Sequence, residues 1–369
     1  MPFVLVTVLA MRSDPVPTGK FNQTIRSALS WVCANEGRIE EMADLASHYK
    51  APYLYAVLGD PIRARKYADL IRSRYLQPDG DFRTRRDVKG WDHLPCSPAN
   101  RYIYSNGWLI AGFQKMGAYG LAQRGLSFIQ RFQSRELGGF CSRFHITSGT
   151  VEPRYLDSSS TSSGGLALLA CGQVEAAIRA GDFLLRLLHA QPQFDRFYFA
   201  SWDADAGLMT DVFGDEDQNS LRGRKQFCLS TEADPMYELI WMIGKPMKFL
   251  ARLYDATSDR RYLEGAGALF DFFHRLEEGR WTNYASCKIM WGGSELYRHT
   301  GERRYYDTAL RIFKWICESQ RQWGGWVHWL WYKTDEEQPL AASLDLVQEL
   351  CGELSDALFD LSPWNRSHA

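Results

Sequence analysis

Apolar residues recur at intervals of three and four along most of the chain, which is the spacing of one face of an α-helix. Glycine, proline and short polar runs interrupt this pattern and divide it into twelve segments. Alternating runs of β-branched residues, which are typical of strands, are nearly absent. We therefore predict an all-α protein with helices over 24–34, 38–57, 61–76, 101–116, 119–133, 158–171, 173–190, 232–257, 259–277, 284–300, 302–320 and 339–360.

The connections between these helices alternate between short and long. Tight turns such as Gly59-Asp60-Pro61 and Cys171-Gly172-Gln173 join pairs of helices into antiparallel hairpins. Long loops follow the second helix of a hairpin, and long loops in a compact domain usually carry function. These loops cover residues 77–100, 134–157, 191–231 and 321–338.

Six hairpins connected in this way predict a single-domain (α/α)6 toroid over residues 21–369, after a flexible segment 1–20. The long loops would gather at one rim, beside the N-termini of the inner helices. Helix 24–34 would close the ring as the outer partner of 339–360, and an open α-solenoid is the alternative. The predicted inner helices are 38–57, 101–116, 158–171, 232–257, 284–300 and 339–360.

One long loop begins with a motif that has weaker copies elsewhere. It reads Gln-x-x-x-Gly-x-Trp at Gln320, Gly324 and Trp326. The glutamine can bond free carbonyls at a helix end, the glycine permits a left-handed turn, and the tryptophan can cover that turn. Partial copies at 77–82 and 133–140 indicate an internal repeat.

This motif resembles the one repeated in the α/α toroids of terpenoid cyclases and protein prenyltransferases. The resemblance implies the toroid fold and a cavity at the rim of long loops. It does not extend to either reaction. The nearest match to the Asp-x-Asp-Asp acid of class II cyclases is Asp203-Ala204-Asp205-Ala206, and the Asp-x-Cys zinc element of prenyltransferases is missing. The same ring also resembles many glycoside hydrolases and polysaccharide lyases.

Composition narrows the partners. The chain has 369 residues and a formal net charge of -1, which argues against a nucleic-acid partner. The eight cysteines are scattered without a Cys-x-x-Cys pair, which favours free thiols and a cytoplasmic protein. The apolar stretch 3–11 leaves a secreted protein with a signal segment as the alternative. We expect no membrane insertion, a small-molecule substrate, and a monomer or homodimer.

No phosphate loop, dinucleotide-binding glycine motif or metal-ligand cluster occurs in the sequence, so we expect no cofactor. Carboxylates and histidines near the long-loop rim are the candidates for acid–base catalysis. Asp157 and Glu232 begin neighbouring inner helices and could face each other across a cavity, one protonated and one ionised. Helix capping and a favourable helix dipole are the structural alternatives. Asp205, His145 and His328 are further catalytic candidates, and a surface turn is the alternative for Asp205.

Aromatic residues make up 14% of the chain. Most of them belong to a core, but those on rim segments could line a pocket suited to sugar stacking, polyene folding or cationic intermediates. Trp326 could instead cover only its own turn. The substrate-binding candidates are Trp91, Tyr104, Trp108, Tyr155, Trp202, Trp241, Trp326 and Trp331.

Three functions follow from these features. The first is a cofactor-independent cyclase, isomerase or lyase of specialised metabolism that acts on an apolar small molecule. The second is a glycoside hydrolase or polysaccharide lyase that uses paired rim carboxylates. The third is a non-enzymatic protein that binds a partner. An enclosed aromatic chamber favours the first, and acids on the floor of an open groove favour the second. An exposed apolar groove favours the third.

Overall fold

A computed structural model describes residues 18–90, 101–211, 228–232, 239–328 and 332–362. No helix within these ranges is long and apolar enough to cross a bilayer. The α-helices are α1 Thr18–Ala34, α2 Glu36–Glu41, α3 Ala51–Val57, α4 Pro61–Arg74, α5 Tyr104–Lys115, α6 Tyr119–Ile129, α7 Ser158–Ala170, α8 Val174–His189, α9 Trp241–Thr257, α10 Arg260–Arg275, α11 Cys287–Thr300, α12 Arg303–Glu318 and α13 Leu340–Leu361. The strands are β1 Cys141–His145, β2 Thr150–Asp157, β3 Phe197–Phe199, β4 Ser201–Asp203, β5 Gly207–Leu208 and β6 Cys228–Ser230.

Six helices form a closed inner ring. Helices α3, α5, α7, α9, α11 and α13 each pack against the next, and α13 packs against α3. The outer helices α4, α6, α8, α10 and α12 each pack against the inner helix that precedes them, and α1 packs against α13. The predicted (α/α)6 toroid is therefore confirmed, including the ring-closing position of the first helix.

Two predicted inner helices have different boundaries in the structure. The segment 38–57 is broken into α2, a short 3-10 helix Leu45–Ser47, and α3. The side chain of Asp44 accepts a hydrogen bond from the Ala46 amide, and this local bond competes with helix continuation. Within the segment 232–257, the helix that the structure describes is α9, which begins at Trp241. The Glu232 amide bonds the Ser230 hydroxyl at 3.1 Å, which makes a turn rather than a first helical turn.

The predicted long loops contain short strands that the sequence reasoning did not anticipate. Strands β1, β2, β4 and β5 form one antiparallel sheet in that order, and β3 pairs with β6 in a second. Strand β2 runs directly into α7, so the first sheet lies at the N-terminal end of an inner helix. The all-α class still describes the ring, and the strands belong to its rim.

Two glutamines of the repeated motif, Gln133 and Gln320, join their loops to the next outer helix, whereas the Gln77 side chain bonds the carbonyl of Tyr75. The Gln320 amide donates 2.8 Å to a carbonyl in α1 and 2.7 Å to the carbonyl of Gly324. The Gln133 amide makes the same pair of bonds, 2.8 Å to a carbonyl in α8 and 2.9 Å to the carbonyl of Gly138. The loop after one outer helix is thus fastened to the outer helix of the following hairpin.

The glycines of the motif permit this close approach. Gly80, Gly138 and Gly324 have φ angles of 91°, 82° and 101°. A Cβ at these three positions would lie 2.5, 2.3 and 2.4 Å from a backbone carbonyl oxygen in α6, α8 and α1, respectively. The three loops therefore repeat one packing device, and its copy at Gly324 closes the ring on α1.

Candidate active site

Helix α13 carries a row of acids that faces the inside of the ring. Their spacing of four, four, three and four residues places them on one side of an α-helix. Cationic and hydroxyl groups from α3, α9 and α11 contact this row. The acids are Asp345, Glu349, Glu353, Asp356 and Asp360.

The acids nearest the long-loop end form a buried ion cluster. The Nζ atom of Lys50 lies 2.9 Å from Oδ1 of Asp345 and also bonds Glu349. Lys288, at the start of α11, bonds both Glu349 and Glu353. We call these five residues the Glu349 cluster. Lys50 directly precedes α3, so three separate elements bring the cluster together.

The charges within the Glu349 cluster support one another. Burial lowers the pKa of Lys50 and Lys288, but the carboxylates beside them outweigh burial and raise both values. Burial raises the pKa of Glu349, yet Lys288 and Lys50 outweigh it and the net pKa is lowered. Burial raises the pKa of Glu353, so this carboxyl holds a proton more readily. The cluster therefore combines two stable ammonium groups, an ionised carboxylate and a potential proton donor.

Lys245 lies beside this cluster but differs from its lysines. Its Nζ atom lies 2.5 Å from Oγ of Ser163 on α7 and 4.0 Å from the centroid of the Tyr104 ring. Within the described part of the chain, no carboxylate oxygen lies within 4 Å of it. Burial, together with the charge of Lys288, lowers the pKa of Lys245 well below that of free lysine. The neutral amine is therefore favoured.

Two neighbouring residues set the path of α9 around this amine. A Cβ at Gly244 would lie 2.5 Å from Cβ of Lys288, so the glycine allows α9 and α11 to touch. Pro246 has no N–H and leaves the carbonyl of Met242 without its helical partner. Ser158, at the start of α7, donates to that carbonyl at 3.3 Å. These contacts hold the first turns of α7, α9 and α11 together.

Aromatic rings line the interior below the Glu349 cluster. Trp108 and Trp291 stack with centroids 5.7 Å apart and an interplanar angle of 9°. Tyr53 meets Trp108 edge-on at 5.1 Å. Both the Tyr53 hydroxyl and the Trp291 indole, at 2.9 Å, donate to Asp356. The walls are thus apolar in their faces and polar at their edges.

A cavity of about 460 Å³ lies against the aromatic wall and Lys245, and the five residues of the Glu349 cluster are not among its lining residues. It begins among the C-terminal residues of α5, α7 and α9, which form the short-turn end of the ring, and reaches inward to Ser163 and Lys245. Trp108 and Trp291 form part of its wall. The cavity is within the size range of small-molecule sites.

Two sets of side chains within the described ranges have the spacing of metal ligands. Cations already bond a central carboxylate in each set. Lys248 lies 2.6 Å and Arg252 2.7 Å from Oε2 of Glu295, and Lys50 and Lys288 bond Glu349. A metal ion would have to compete with these groups. The two sets are Asp255, Glu295 and His299, and Cys287, Glu349 and Glu353.

Four of the residues predicted from the sequence lie toward the long-loop end of the ring, on or beside the starts of inner helices. The Tyr104 hydroxyl lies 3.5 Å from Oε2 of Glu349, and Trp108 belongs to the aromatic wall. The Trp241 ring lies 4.2 Å from the guanidinium of an arginine. Burial lowers the pKa of His328 to about 4, with Glu349 acting in the opposite direction. His328 is therefore close enough to the cluster to feel its charges.

The predicted pair Asp157 and Glu232 does not meet across a cavity. Asp157 is the N-cap of α7, and its carboxylate accepts from the amide of Ser160 at 2.7 Å and from its hydroxyl at 2.6 Å. Burial raises the pKa of Asp157 to about 6. Glu232 is exposed, and Oε1 lies 2.6 Å from Arg196. Capping and a surface ion pair explain these two acids, so the hypothesis of a catalytic pair does not fit the structure.

The predicted catalytic candidates Asp205 and His145 lie on the surface. Asp205 is exposed, and its amide bonds Oδ1 of Asp203 at 3.0 Å in the turn between β4 and β5. The side chain of His145 is 61% exposed at the end of β1, and its Nε2 atom lies 3.8 Å from Glu152. Neither residue contacts the ring interior, because each belongs to the outer part of the rim sheet.

Three predicted substrate-binding aromatics serve the packing of the rim. Trp326 is fully buried and donates 2.8 Å to the carbonyl of Ile316, so it covers its own helix end. Trp202 packs edge-on against a phenylalanine of α8, with centroids 6.0 Å apart. An arginine guanidinium lies 4.3 Å from the centroid of the Tyr155 ring on β2. The structure therefore does not place these three in the cavity. Trp91 and Trp331 lie outside the described residues.

Sequence reasoning missed the charged residues of the interior. The sequence feature that could have revealed them is the presence of charged residues on inner helices that are otherwise apolar. The clearest example is the row of acids on α13, which recur at intervals of about one helical turn. Lysines within apolar runs on α9 and α11 are the matching sign. The missed residues are Lys50, Ser163, Lys245, Lys288, Asp345, Glu349 and Glu353.

No protein-family model and no curated protein sequence matches the chain. Solved structures match over most of its length. A D-mannose isomerase is 11% identical, with a TM-score of 0.64 over 95% of this chain and 100% of the isomerase. A GH76 α-mannanase from Bacteroides thetaiotaomicron is 14% identical, with a TM-score of 0.60 over 93% and 97% of the two chains. A type II terpene cyclase from Scytonema is 13% identical, with a TM-score of 0.55 over 93% and 98%. At these identities the likeness establishes the fold, and the chain is an (α/α)6 toroid.

Proposed function

We propose that this protein is an enzyme that moves protons on a small hydroxylated carbonyl compound of the sugar class. The Glu349 cluster is the observation that carries the proposal. Burial of ionisable groups in a core usually gains little stability compared with apolar packing. Perturbed ionisable groups beside a cavity are therefore candidates for catalysis rather than for stability.

The polarity of the interior favours a hydroxylated substrate. Charged and polar side chains are the groups that fix hydroxyl and carbonyl oxygens of a substrate in a site, and the interior carries several of them beside its aromatic wall. Stacked rings such as Trp108 and Trp291 suit the faces of a sugar. This reasoning ranks the carbohydrate hypothesis above the apolar one, which is the reverse of the order suggested by sequence alone.

The groups divide into proton acceptors and donors. Burial lowers the pKa of both Lys245 and His328, so their neutral forms can accept a proton. The ammonium groups of Lys50 and Lys288 can stabilise an oxyanion that develops when a proton leaves the carbon beside a carbonyl. Glu349 is a weak base because its pKa is lowered. Glu353, whose pKa burial raises, is the potential proton donor of the cluster.

The solved structures are compatible with this proposal. One similar structure is a D-mannose isomerase and another is an α-mannanase, so this ring does act on sugars in other proteins. The terpene cyclase shows that the ring also serves apolar substrates. The choice between them therefore rests on the interior groups and not on the fold.

Proton transfer can be tested by isotope exchange. The native protein is incubated in D2O with a panel of aldoses and ketoses, and NMR follows the loss of the C–H signal beside the carbonyl and the appearance of an isomer. We expect exchange with at least one sugar. Lys245→Met and His328→Gln should each reduce its rate by about 100-fold or more, because a positioned base contributes at least that factor.

Matched surface variants serve as controls for this experiment. Lys314→Met and His189→Gln replace the same residue types at exposed positions. Both should retain the native exchange rate. The proposal would be abandoned if no sugar exchanged, or if the four variants behaved alike.

The stacked pair Trp108 and Trp291 supports a second candidate, an isomerase or cyclase acting on an apolar polyene. Incubation with polyene precursors would then give a product without added cofactor. Trp291→Ala should abolish that product, because the stacked wall would be lost. Absence of any product would remove this candidate.

A further inference from the structure

The hydrogen bond that holds Lys245 leaves its lone pair free. The Ser163 hydroxyl donates 2.7 Å to the carbonyl of Ser159, one turn earlier in α7. The oxygen of Ser163 therefore accepts the bond from Nζ of Lys245, at 2.5 Å. A neutral amine in this arrangement uses an N–H for the bond and keeps its lone pair for another partner.

The other interior lysines are occupied by carboxylates. Lys50 lies 2.9 Å from Asp345, Lys248 lies 2.6 Å from Glu295, and Lys288 bonds Glu349. Lys245 has no carboxylate within 4 Å among the residues that the structure describes. A buried amine close to an ammonium group is the arrangement that activates a lysine as a nucleophile.

The cavity gives a small molecule access to this amine. Both Lys245 and Ser163 line the cavity of about 460 Å³, and Trp108 flanks them. A carbonyl compound of a few carbon atoms fits such a volume. Lys245 is thus almost fully buried, and the cavity that it lines is the route by which a small molecule could reach its amine.

We propose that Lys245 forms an imine with the aldehyde or ketone carbonyl of the substrate, a step that rests on the proposed function for the choice of a carbonyl substrate. The nitrogen lone pair attacks the carbonyl carbon, the π electrons move to oxygen, and an N–H proton transfers to that oxygen. The remaining N–H proton leaves with the hydroxyl group as water, and the C=N bond forms. The step involves no oxidation or reduction.

The imine gives the interior groups distinct roles. Once protonated, the C=N group withdraws electrons from the adjacent carbon and makes its C–H bond more acidic. Ser163, whose oxygen lies 2.5 Å from Nζ of Lys245, flanks the imine nitrogen. In the simpler mechanism Lys245 acts as a base only, and no covalent intermediate forms.

Reductive trapping distinguishes these mechanisms. The full-length native protein is mixed with glycolaldehyde at neutral pH, borohydride is added as the hydride donor, and tryptic peptides are examined by mass spectrometry. An imine would be fixed as a hydroxyethyl group on Lys245. We expect this lysine to be labelled at least ten times faster than the exposed lysines.

Two variants control the trapping. Lys245→Met should lose the fast-labelled peptide, and Lys314→Met, at an exposed position, should keep it. Ser163→Ala retains the amine and removes its bond, so it should change the labelling rate of Lys245 without moving the label elsewhere. Even labelling of all lysines, or fast labelling that persists in Lys245→Met, would overturn the imine.

The two proposals fail in different ways. Isotope exchange without trapped Lys245 would refute the imine and leave proton transfer on a sugar intact. Trapped Lys245 without exchange of any sugar would support the imine and refute the proposed substrate class.

Discussion

At the scale of single residues, buried lysines of the same core have pKa values that are shifted in opposite directions. Lys50 and Lys288 bond carboxylates, which raise the pKa of both ammonium groups despite burial. Lys245 faces a hydroxyl and an aromatic ring, and burial lowers its pKa. The difference lies in the partners, because all three side chains are almost fully buried.

The lowered pKa of Lys245 predicts a gain in stability when it is replaced. Between the folded pKa and the unfolded value of about 10.4, the unfolded chain binds a proton that the folded chain lacks. The stability of the native protein therefore rises with pH in that window, by up to about 1.4 kcal/mol per pH unit. Lys245→Met removes the loss of stability that comes from burying an amine with a lowered pKa, so the variant should be more stable than the native protein at pH 7.

Urea unfolding at pH 7, 8 and 9 checks this prediction. The stability advantage of Lys245→Met should shrink as the pH rises, whereas Lys314→Met should stay within about 0.5 kcal/mol of the native protein at each pH, as surface substitutions usually do. Parallel curves for native protein and Lys245→Met would show that the amine titrates normally. A variant that gains stability while losing activity would mark Lys245 as functional rather than structural.

At the scale of elements, the inner helices have two different faces. Apolar side chains of α9 and α11 pack on their neighbours, whereas Lys245 of α9 bonds Ser163 of α7 and Lys288 of α11 bonds Glu349 of α13. The acids of α13 follow the helical repeat, so the face that they form could be derived from sequence alone. Their partners could not, because the cations belong to helices elsewhere in the chain.

The loop motif predicts a matched pair of glycine variants. Gly324→Ala would place Cβ 2.4 Å from a carbonyl oxygen of α1, at a φ of 101°. Gly301→Ala has a similar left-handed backbone, with φ of 68°, but no atom within 4 Å of its Cβ. Both variants carry the backbone cost of about 1–2 kcal/mol. Gly324→Ala should lose about 1–3 kcal/mol more, because overpacking forces α1 away from the ring.

Chemical denaturation of the two variants measures this difference. A lower midpoint for Gly324→Ala than for Gly301→Ala, at an unchanged slope, is the expected result. Equal midpoints would mean that the loop yields without displacing α1. The motif would then not be what fastens the first helix to the last hairpin.

At the scale of the whole molecule, the cavity connects Lys245 with the short-turn end of the ring. The long loops predict a functional opening at the long-loop rim instead. Ala170 and Ala256 line the cavity where it meets the surface among the short turns. Because the residues at this end are small, we expect small molecules to reach Lys245 from the short-turn end.

A bulky residue at this opening tests the direction of access. Ala256→Trp should slow the trapping of Lys245 by glycolaldehyde about tenfold or more, because an indole fills much of the opening. Ala34→Trp, at an exposed position in the last turn of α1, should leave trapping unchanged. Unchanged trapping in both variants would indicate that small molecules reach Lys245 from the long-loop end.

Prediction from sequence succeeded where the cause was local. Helices such as α8 and α12 follow the apolar repeat within one or two residues, because their ends coincide with polar or glycine-containing turns. It failed at 38–57, where Asp44 caps a separate turn. It also failed at the rim, where strand pairing joins β2 with β4, segments that are distant along the chain.

The difference between local causes and contacts between distant segments also explains which functional residues the sequence could suggest. Tyr104, Trp108, Trp241 and His328 were predicted because aromatic and histidine residues at the starts of inner helices or on rim loops stand out in sequence, and their role in a site stays a prediction. Asp157 was proposed for a like reason, but helix capping accounts for its position. A residue type identifies the chemistry that is possible at a position, and only its neighbours decide whether that chemistry is used.

The sequence by itself determined the helices and their pairing into hairpins, because each depends on residues a few turns apart. The tertiary structure alone decided which ionisable groups meet. Lys50 and Glu349 bond across 299 residues of chain, and Lys245 and Ser163 across 82. The closed ring brings these residues together. Because the lysines are buried there, a carboxylate partner keeps the side chain a stable cation, whereas a hydroxyl partner favours a reactive amine.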